Sequence, residues 1–148
     1  MQKDDAIDTL NRLISIAKDG VNGMSSAAES ASNPQLKSTL SQLSQERNHV
    51  ATQLQDVVRR LGGGPDQSGT TLGAAHRAFM NIKDAVTGTD DKALIDECER
   101  GEDVAVREFQ SALQKDLPGD IKQTVQHAFT QVKSSHDRIK HLRNAGVH

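Results

Sequence analysis

Residues 4–31 read DDAIDTLNRLISIAKDGVNGMSSAAESA, and apolar or small side chains recur along them at alternating spacings of three and four. The members of this seam are Ile7, Leu10, Ile14, Ala17, Val21, Met24, Ala28 and Ala31. A heptad seam of this kind is typical of a long α-helix that packs along neighbouring helices. We therefore expect a helix over residues 4–31. The following Asn33 is suited to cap a second helix, and Pro34 is suited to its first turn.

Three further segments carry similar apolar seams. They predict long helices over residues 34–61, 91–117 and 120–143, and a shorter helix fits residues 72–86. At about 1.5 Å per residue, the first two long helices both measure about 42 Å, so they match as an antiparallel hairpin. The sequence Gly-Gly-Gly-Pro at positions 62–65 ends this hairpin, because left-handed caps and a following proline terminate helices.

The join between the two predicted hairpins is long, and it contains the shorter helix over residues 72–86. A long join allows the second hairpin to begin at the opposite end of the bundle, as it does in ferritin-type bundles. The predicted fold is therefore all-α. It is one domain over residues 1–148, built as a ferritin-like four-helix bundle with an additional short crossover helix.

The composition excludes several classes of protein. The chain has three Phe and no Trp or Tyr, which disfavours a β-sandwich or barrel and removes the stacking platforms for single-stranded nucleic acid. A formal net charge of −2 excludes a nucleic-acid binder that works through overall positive charge. No apolar run approaches the ~20 residues of a membrane span, and the N-terminus lacks a signal-peptide core. Because a single cysteine favours a reducing compartment, we expect a cytoplasmic protein that binds neither nucleic acid nor membrane.

Several short motifs carry a family resemblance. They are IDTLNRLI at residues 7–14, KDG at 18–20, LGG at 61–63, GAAHR at 73–77 and ECERGED at 97–103, and the last is the most distinctive because a glycine amid so many acidic residues is unusual in a helix. On these motifs the chain resembles, over nearly its whole length, a bacterial family of four-helix-bundle proteins of unknown function in the ferritin-like superfamily. The resemblance implies a ferritin-like bundle that is cytoplasmic and often stress-associated. It brings no established activity, substrate or partner.

The ferritin-like superfamily raises the question of a di-iron site. Such sites take a Glu from each of two helices and a Glu-x-x-His motif from each of the other two. The one literal match is Glu46 with His49, and the heptad phase that puts Arg47 at position a places His49 at position c, away from the seam. We therefore expect no catalytic residue and no cofactor, with a degenerate iron or manganese site as the alternative. The candidate ligands for that alternative are Glu46, His49, Glu99, Glu102 and His136.

Arg47 is a charged residue on the apolar seam of the second predicted helix. A buried guanidinium needs a partner, because a lone buried charge is strongly destabilising. The expected partner is Glu102, which follows Gly101 on the helix over residues 91–117. An ion pair there would place a positive charge where di-iron proteins hold metal, and it would repel a cation. In the other interpretation, the Arg47 side chain extends along its neighbours and reaches solvent.

The sequence predicts the function only as a class. We expect a non-enzymatic, metal-free protein that acts through self-association or by binding an unidentified protein partner. A stripe of small residues on the first helix is suited either to pair with a second copy as a homodimer or to receive the crossover helix; it consists of Ala17, Gly20, Gly23, Ala27 and Ala31. The alternative function is a ferritin-like metal-binding protein or oxidoreductase with a degenerate di-metal site.

Overall fold

The computed structural model describes residues 2–64 and 90–145, and the regular structure in these two ranges is entirely helical. Its four helices are α1 at Lys3–Ser30, α2 at Pro34–Arg60, α3 at Asp91–Leu113 and α4 at Gly119–Asn144. The prediction of an all-helical bundle is confirmed. The predicted short helix over residues 72–86 lies outside the described residues. None of the four helices is both long and apolar enough to cross a membrane.

The helix ends follow local sequence signals. The side chain of Asn33 caps α2 as predicted, since its Oδ1 accepts hydrogen bonds from the backbone N–H groups of Gln35 at 2.8 Å and Leu36 at 3.1 Å. Helix α3 ends at Leu113, four residues before the predicted end. Because the residue before a proline disfavours helical backbone, Pro118 prevents the helix from continuing through Leu117, and residues 114–118 form the turn into α4.

Helix α1 is buried over a wider face than its heptad seam predicts. Leu13 and Ile16 lie outside the predicted seam, yet each is only 1% exposed. The seam residue Val21 is half-buried, whereas the neighbouring Gly20 and Gly23 are buried. The reason is that α1 packs against both α2 and α3, and two neighbours cover more of a helix than one seam does.

Polar contacts fix the directions of the helices. At one end of the bundle, the guanidinium of Arg12 on α1 donates two hydrogen bonds to Glu108 on α3, at 2.9 and 3.0 Å. At the other end, the carboxylate of Asp91 accepts hydrogen bonds from the backbone N–H groups of Ser32 and Asn33, both at 2.8 Å. The start of α3 therefore lies beside the end of α1, so α1 and α3 are antiparallel.

The first hairpin ends far from the start of the second. The carbonyl of Gly64 accepts a hydrogen bond from the side chain of Asn11, 3.1 Å away. Asp91 begins α3 beside Ser32, which follows the end of α1 and lies 21 residues after Asn11, about 31 Å at the rise of an α-helix. The connection between α2 and α3 therefore joins opposite ends of the bundle.

Two apolar clusters follow one another along the bundle axis. The first contains Leu10, Ile14, Val50, Leu54, Ala105, Phe109, Val125 and Val132, among others. The second contains Met24, Leu36, Leu40, Leu43, Leu94, Cys98, Ile139 and Leu142, among others. All four helices take part in both clusters, and each helix carries a buried polar side chain where the chain passes from one cluster to the other. A polar layer therefore separates the two halves of the core.

Candidate functional site

The central polar layer is the most unusual feature of the described residues. It consists of Asp19 and Gly20 on α1, Arg47 on α2, Glu102 on α3 and Ser135 on α4. Its four polar side chains are between 0% and 4% exposed. Buried charged groups are rare in protein cores and are normally paired, so a layer with three of them requires an explanation.

Arg47 and Glu102 form a buried ion pair across the centre of the bundle. The Arg47 Nη2 atom donates a hydrogen bond to Glu102 Oε2 at 2.6 Å. The two side chains are 2% and 0% exposed, so the Arg47 side chain does not extend into solvent. Removal of two charges from water is costly, and the pair repays that cost only through close contact between its partners. Burial of either charge is therefore tolerated only because the other is present.

Gly20 makes room for the Arg47 side chain. A Cβ atom at position 20 would lie 2.8 Å from Arg47 Nη1 and 3.3 Å from Arg47 Cγ. The guanidinium has little freedom to move away, because it is buried and held by Glu102. The glycine therefore lets α1 approach α2 closely enough to enclose the ion pair.

The ion pair is a single-point contact, which leaves further hydrogen-bonding capacity in the layer. Among the residues that the structure describes, no partner lies within hydrogen-bond distance of Arg47 Nη1, Glu102 Oε1 or Ser135 Oγ. All three atoms are buried. Unsatisfied buried polar atoms are uncommon and costly in native proteins, so these three atoms distinguish the layer from the rest of the core.

The structure does not bring the predicted metal ligands together. Glu46 is half-exposed and faces Arg138, with 3.4 Å between the carboxylate and the guanidinium. His49 is exposed, 3.4 Å from the amide of Gln53. Glu99 pairs with Arg143 at 2.7 Å. Within residues 2–64 and 90–145, no group of three or more His, Cys, Asp or Glu side chains is arranged to hold a metal ion.

His136 lies at the edge of the layer between two carboxylates. Its Nε2 atom is 2.6 Å from Asp103 Oδ1 on α3, and its Nδ1 atom is 3.2 Å from Asp137 Oδ1 on α4. The hydrogen bond with His136, together with Lys133, lowers the pKa of the Asp137 carboxyl. These contacts hold α3 against α4 beside the layer, and they occupy the histidine that the metal interpretation requires.

Cys98 lies one helical turn from Glu102 and is fully buried. Burial raises the pKa of its thiol far above the ordinary value, and the carboxylates of Glu102 and Glu97 raise it further. Because the thiolate is the nucleophile, this side chain acts as a small apolar core residue.

Sequence reasoning identified Arg47 and Glu102 but missed two other members of the layer. Ser135 occupies a seam position between Val132 and Ile139. A hydroxyl on an apolar seam indicates a buried polar group, just as the charge of Arg47 does. Asp19 gave no such signal, since it lies outside the heptad seam of α1 and is buried only because α1 has more than one neighbour.

A comparison with protein families gives one match. The model of a family described as a domain of unknown function (DUF2383) matches residues 5–115 of the 148. The matched range includes Asp19, Arg47 and Glu102 of the central polar layer, and it ends before α4. None of the curated proteins matches the chain at a significant level.

The ion pair predicts a sharp contrast between two neighbouring substitutions. Arg47→Ala should lower the free energy of unfolding by about 3 kcal/mol, because it leaves the Glu102 carboxylate buried without its partner. Glu46→Ala, which removes an exposed carboxylate, should change it by less than about 0.5 kcal/mol. Urea denaturation followed by circular dichroism measures both values. Similar losses for the two variants would show that Arg47 is solvated.

Gly20→Ala should destabilise the protein even though alanine is the better helix former by about 1 kcal/mol. The added methyl group overpacks the Arg47 side chain, and we expect a net loss of about 1 kcal/mol or more. In protein that already carries Arg47→Ala, the same substitution should be neutral or stabilising. The same denaturation experiment measures the effect of Gly20→Ala in both backgrounds. Equal effects would contradict the claim that the missing side chain of Gly20 makes room for Arg47.

Proposed function

The chain belongs to the family described as a domain of unknown function (DUF2383), and on that premise we propose that it is a metal-free, non-enzymatic four-helix bundle of ferritin-like architecture that acts by self-association. The metal-free part of the proposal rests above all on the buried pair of Arg47 and Glu102. This pair takes the central position that a di-metal site holds in ferritin-like enzymes. The bacterial origin, the cytoplasmic location and the association with stress that the family resemblance implies belong to the same proposal.

The charge of Arg47 opposes a metal ion in the layer, where it offsets the carboxylates of Asp19 and Glu102. Two unit charges of the same sign 4 Å apart repel each other by about 4 kcal/mol at an effective dielectric constant of 20, and a divalent cation is repelled about twice as strongly. Glu102 already gives one carboxylate oxygen to Arg47. Glu99 and His136 are paired with Arg143 and Asp103, so two further candidate ligands are also engaged.

The directions of the helices support the ferritin-like architecture. Helices α1 and α3 are antiparallel, and the connection from α2 to α3 joins opposite ends of the bundle. A simple up-and-down bundle would join neighbouring ends with a short loop. On this proposal, the connection is the crossover segment, and it contains the short helix that the sequence predicts over residues 72–86.

The α2–α4 face is the surface that we assign to self-association. It carries two open grooves, with volumes of about 510 and 780 Å³. Both grooves carry charges of both signs: the first is lined by residues that include Lys133, Asp137 and Arg138, and the second by residues that include Asp56, Arg59, Arg60 and Asp120. We do not assign self-association to the stripe of small residues on α1, because its members are buried in the single chain; they are Ala17, Gly20, Gly23, Ala27 and Ala31.

Native mass spectrometry of the untagged protein, after anaerobic loading with Fe(II) or Mn(II) and desalting, tests both parts of the proposal. We expect a species of twice the chain mass of 16.0 kDa, without mass increments from bound metal. About two metal ions per chain would overturn the metal-free assignment and favour the degenerate oxidoreductase site instead. A purely monomeric protein at every concentration would overturn self-association.

A pair of charge reversals tests the surface. Arg138→Glu alters the groove between α2 and α4 and should shift the dimer towards monomer. Arg100→Glu is the matched control, because Arg100 is an exposed cation on α3 whose ion pair, with Glu97, lies on its own helix. Dissociation by both variants, or by neither, would place the contact elsewhere.

A further inference from the structure

The three unpartnered atoms of the central polar layer come from three helices and differ in what they require. Arg47 Nη1 on α2 is a donor, Glu102 Oε1 on α3 is an acceptor, and Ser135 Oγ on α4 is both. Arg47 and Glu102 already touch through their other terminal atoms, at 2.6 Å. Nη1 shares the guanidinium carbon with Nη2, and Oε1 shares the carboxylate carbon with Oε2, so both unpartnered atoms lie close to this contact.

The register of α3 against α4 places Ser135 at the same level of the bundle. His136 is 2.6 Å from Asp103, and Ser135 and Glu102 are the residues that immediately precede these two. Both Ser135 and Glu102 are buried, so both belong to the interior face of their helices. The hydroxyl therefore lies in the layer with the ion pair, between the two apolar clusters.

We infer that the central polar layer binds an internal water molecule, which accepts a hydrogen bond from Arg47 Nη1 and donates one to Glu102 Oε1, with Ser135 Oγ as its third partner. Buried waters make about two to four hydrogen bonds to otherwise unsatisfied polar groups, so these three atoms are enough to hold one. The inference rests on the proposed metal-free state of the layer.

Charge and size select water over other ligands. A cation is repelled by the Arg47 guanidinium, and an anion is repelled by the carboxylates of Glu102 and Asp19. A neutral group that both accepts and donates satisfies both atoms at once. Size sets a second limit, because the backbone of Gly20 lies against the guanidinium so closely that even a methyl group there would be 2.8 Å from Nη1. A ligand larger than water would push α1 away.

The water also explains why the ion pair is a single-point contact. A guanidinium and a carboxylate can form two parallel hydrogen bonds, which is the stronger geometry where nothing else competes. Elsewhere in the bundle, Arg12 and Glu108 form such a two-bond contact near the surface, whereas Arg47 and Glu102 do not. A bridging water completes the buried pair without a second direct bond.

A crystal structure at a resolution that shows ordered water, with anomalous data collected at the iron and manganese edges, tests the inference. We expect a peak about 2.7–3.2 Å from both Arg47 Nη1 and Glu102 Oε1, without anomalous signal. A direct two-bond contact between Arg47 and Glu102, with no such peak, would overturn the inference and leave the proposed function intact. An anomalous peak in the layer would overturn both.

Variants in solution give an independent readout. Oxygen-17 magnetic relaxation dispersion counts long-lived internal waters, and the double variant Arg47→Met with Glu102→Leu, which replaces the pair by apolar groups of similar size, should show one fewer than the wild type. Ser135→Ala should weaken the same signal. Ser44→Ala is the control, because that hydroxyl is already bonded to the Val21 carbonyl at 2.9 Å. An unchanged count in the double variant would contradict the inference.

Discussion

The contact between Arg47 and Glu102 is the constraint on which the rest of the described structure depends. The two charges are almost completely removed from water, and their 2.6 Å hydrogen bond compensates for that removal. An apolar core tolerates small shifts of one helix along another, since any apolar side chain can cover any other. An ion pair in the same place does not, because a shift by one helical turn would leave two buried charges unpaired.

The surrounding residues are arranged around this requirement. Gly20 lets α1 approach the guanidinium, and the contact between His136 and Asp103 fixes α4 against α3 at the same level. The apolar clusters on either side then supply most of the stabilisation, because burial of apolar surface is the dominant favourable term in folding. We regard the layer as a device that sets the register of four helices rather than as a source of stability.

Much of this arrangement could be predicted from the sequence. The heptad seams gave the four long helices, and the position of Arg47 on a seam indicated a buried partner. Periodicity does not reveal how many neighbours surround a helix, so the burial of Ile16 and Asp19 on α1 was missed. Periodicity also does not show where a helix ends. Helix α3 ends at Leu113 because Pro118 and the turn before it prevent the helix from continuing. The unpartnered atoms of the layer depend on interatomic distances that no sequence pattern contains.

The most direct test of this account is a double-mutant cycle on the ion pair, with Arg47→Met, Glu102→Leu and the two combined, measured as free energies of unfolding. We predict that each single substitution costs about 3 kcal/mol or more, whereas the double variant is close to the wild type, because the apolar pair restores the packing and leaves no unpaired charge. The coupling energy would then be about 6 kcal/mol or more, since it is the difference between the double variant and the sum of the two single losses. Additive effects, within about 0.5 kcal/mol, would contradict the claim that the two residues depend on each other.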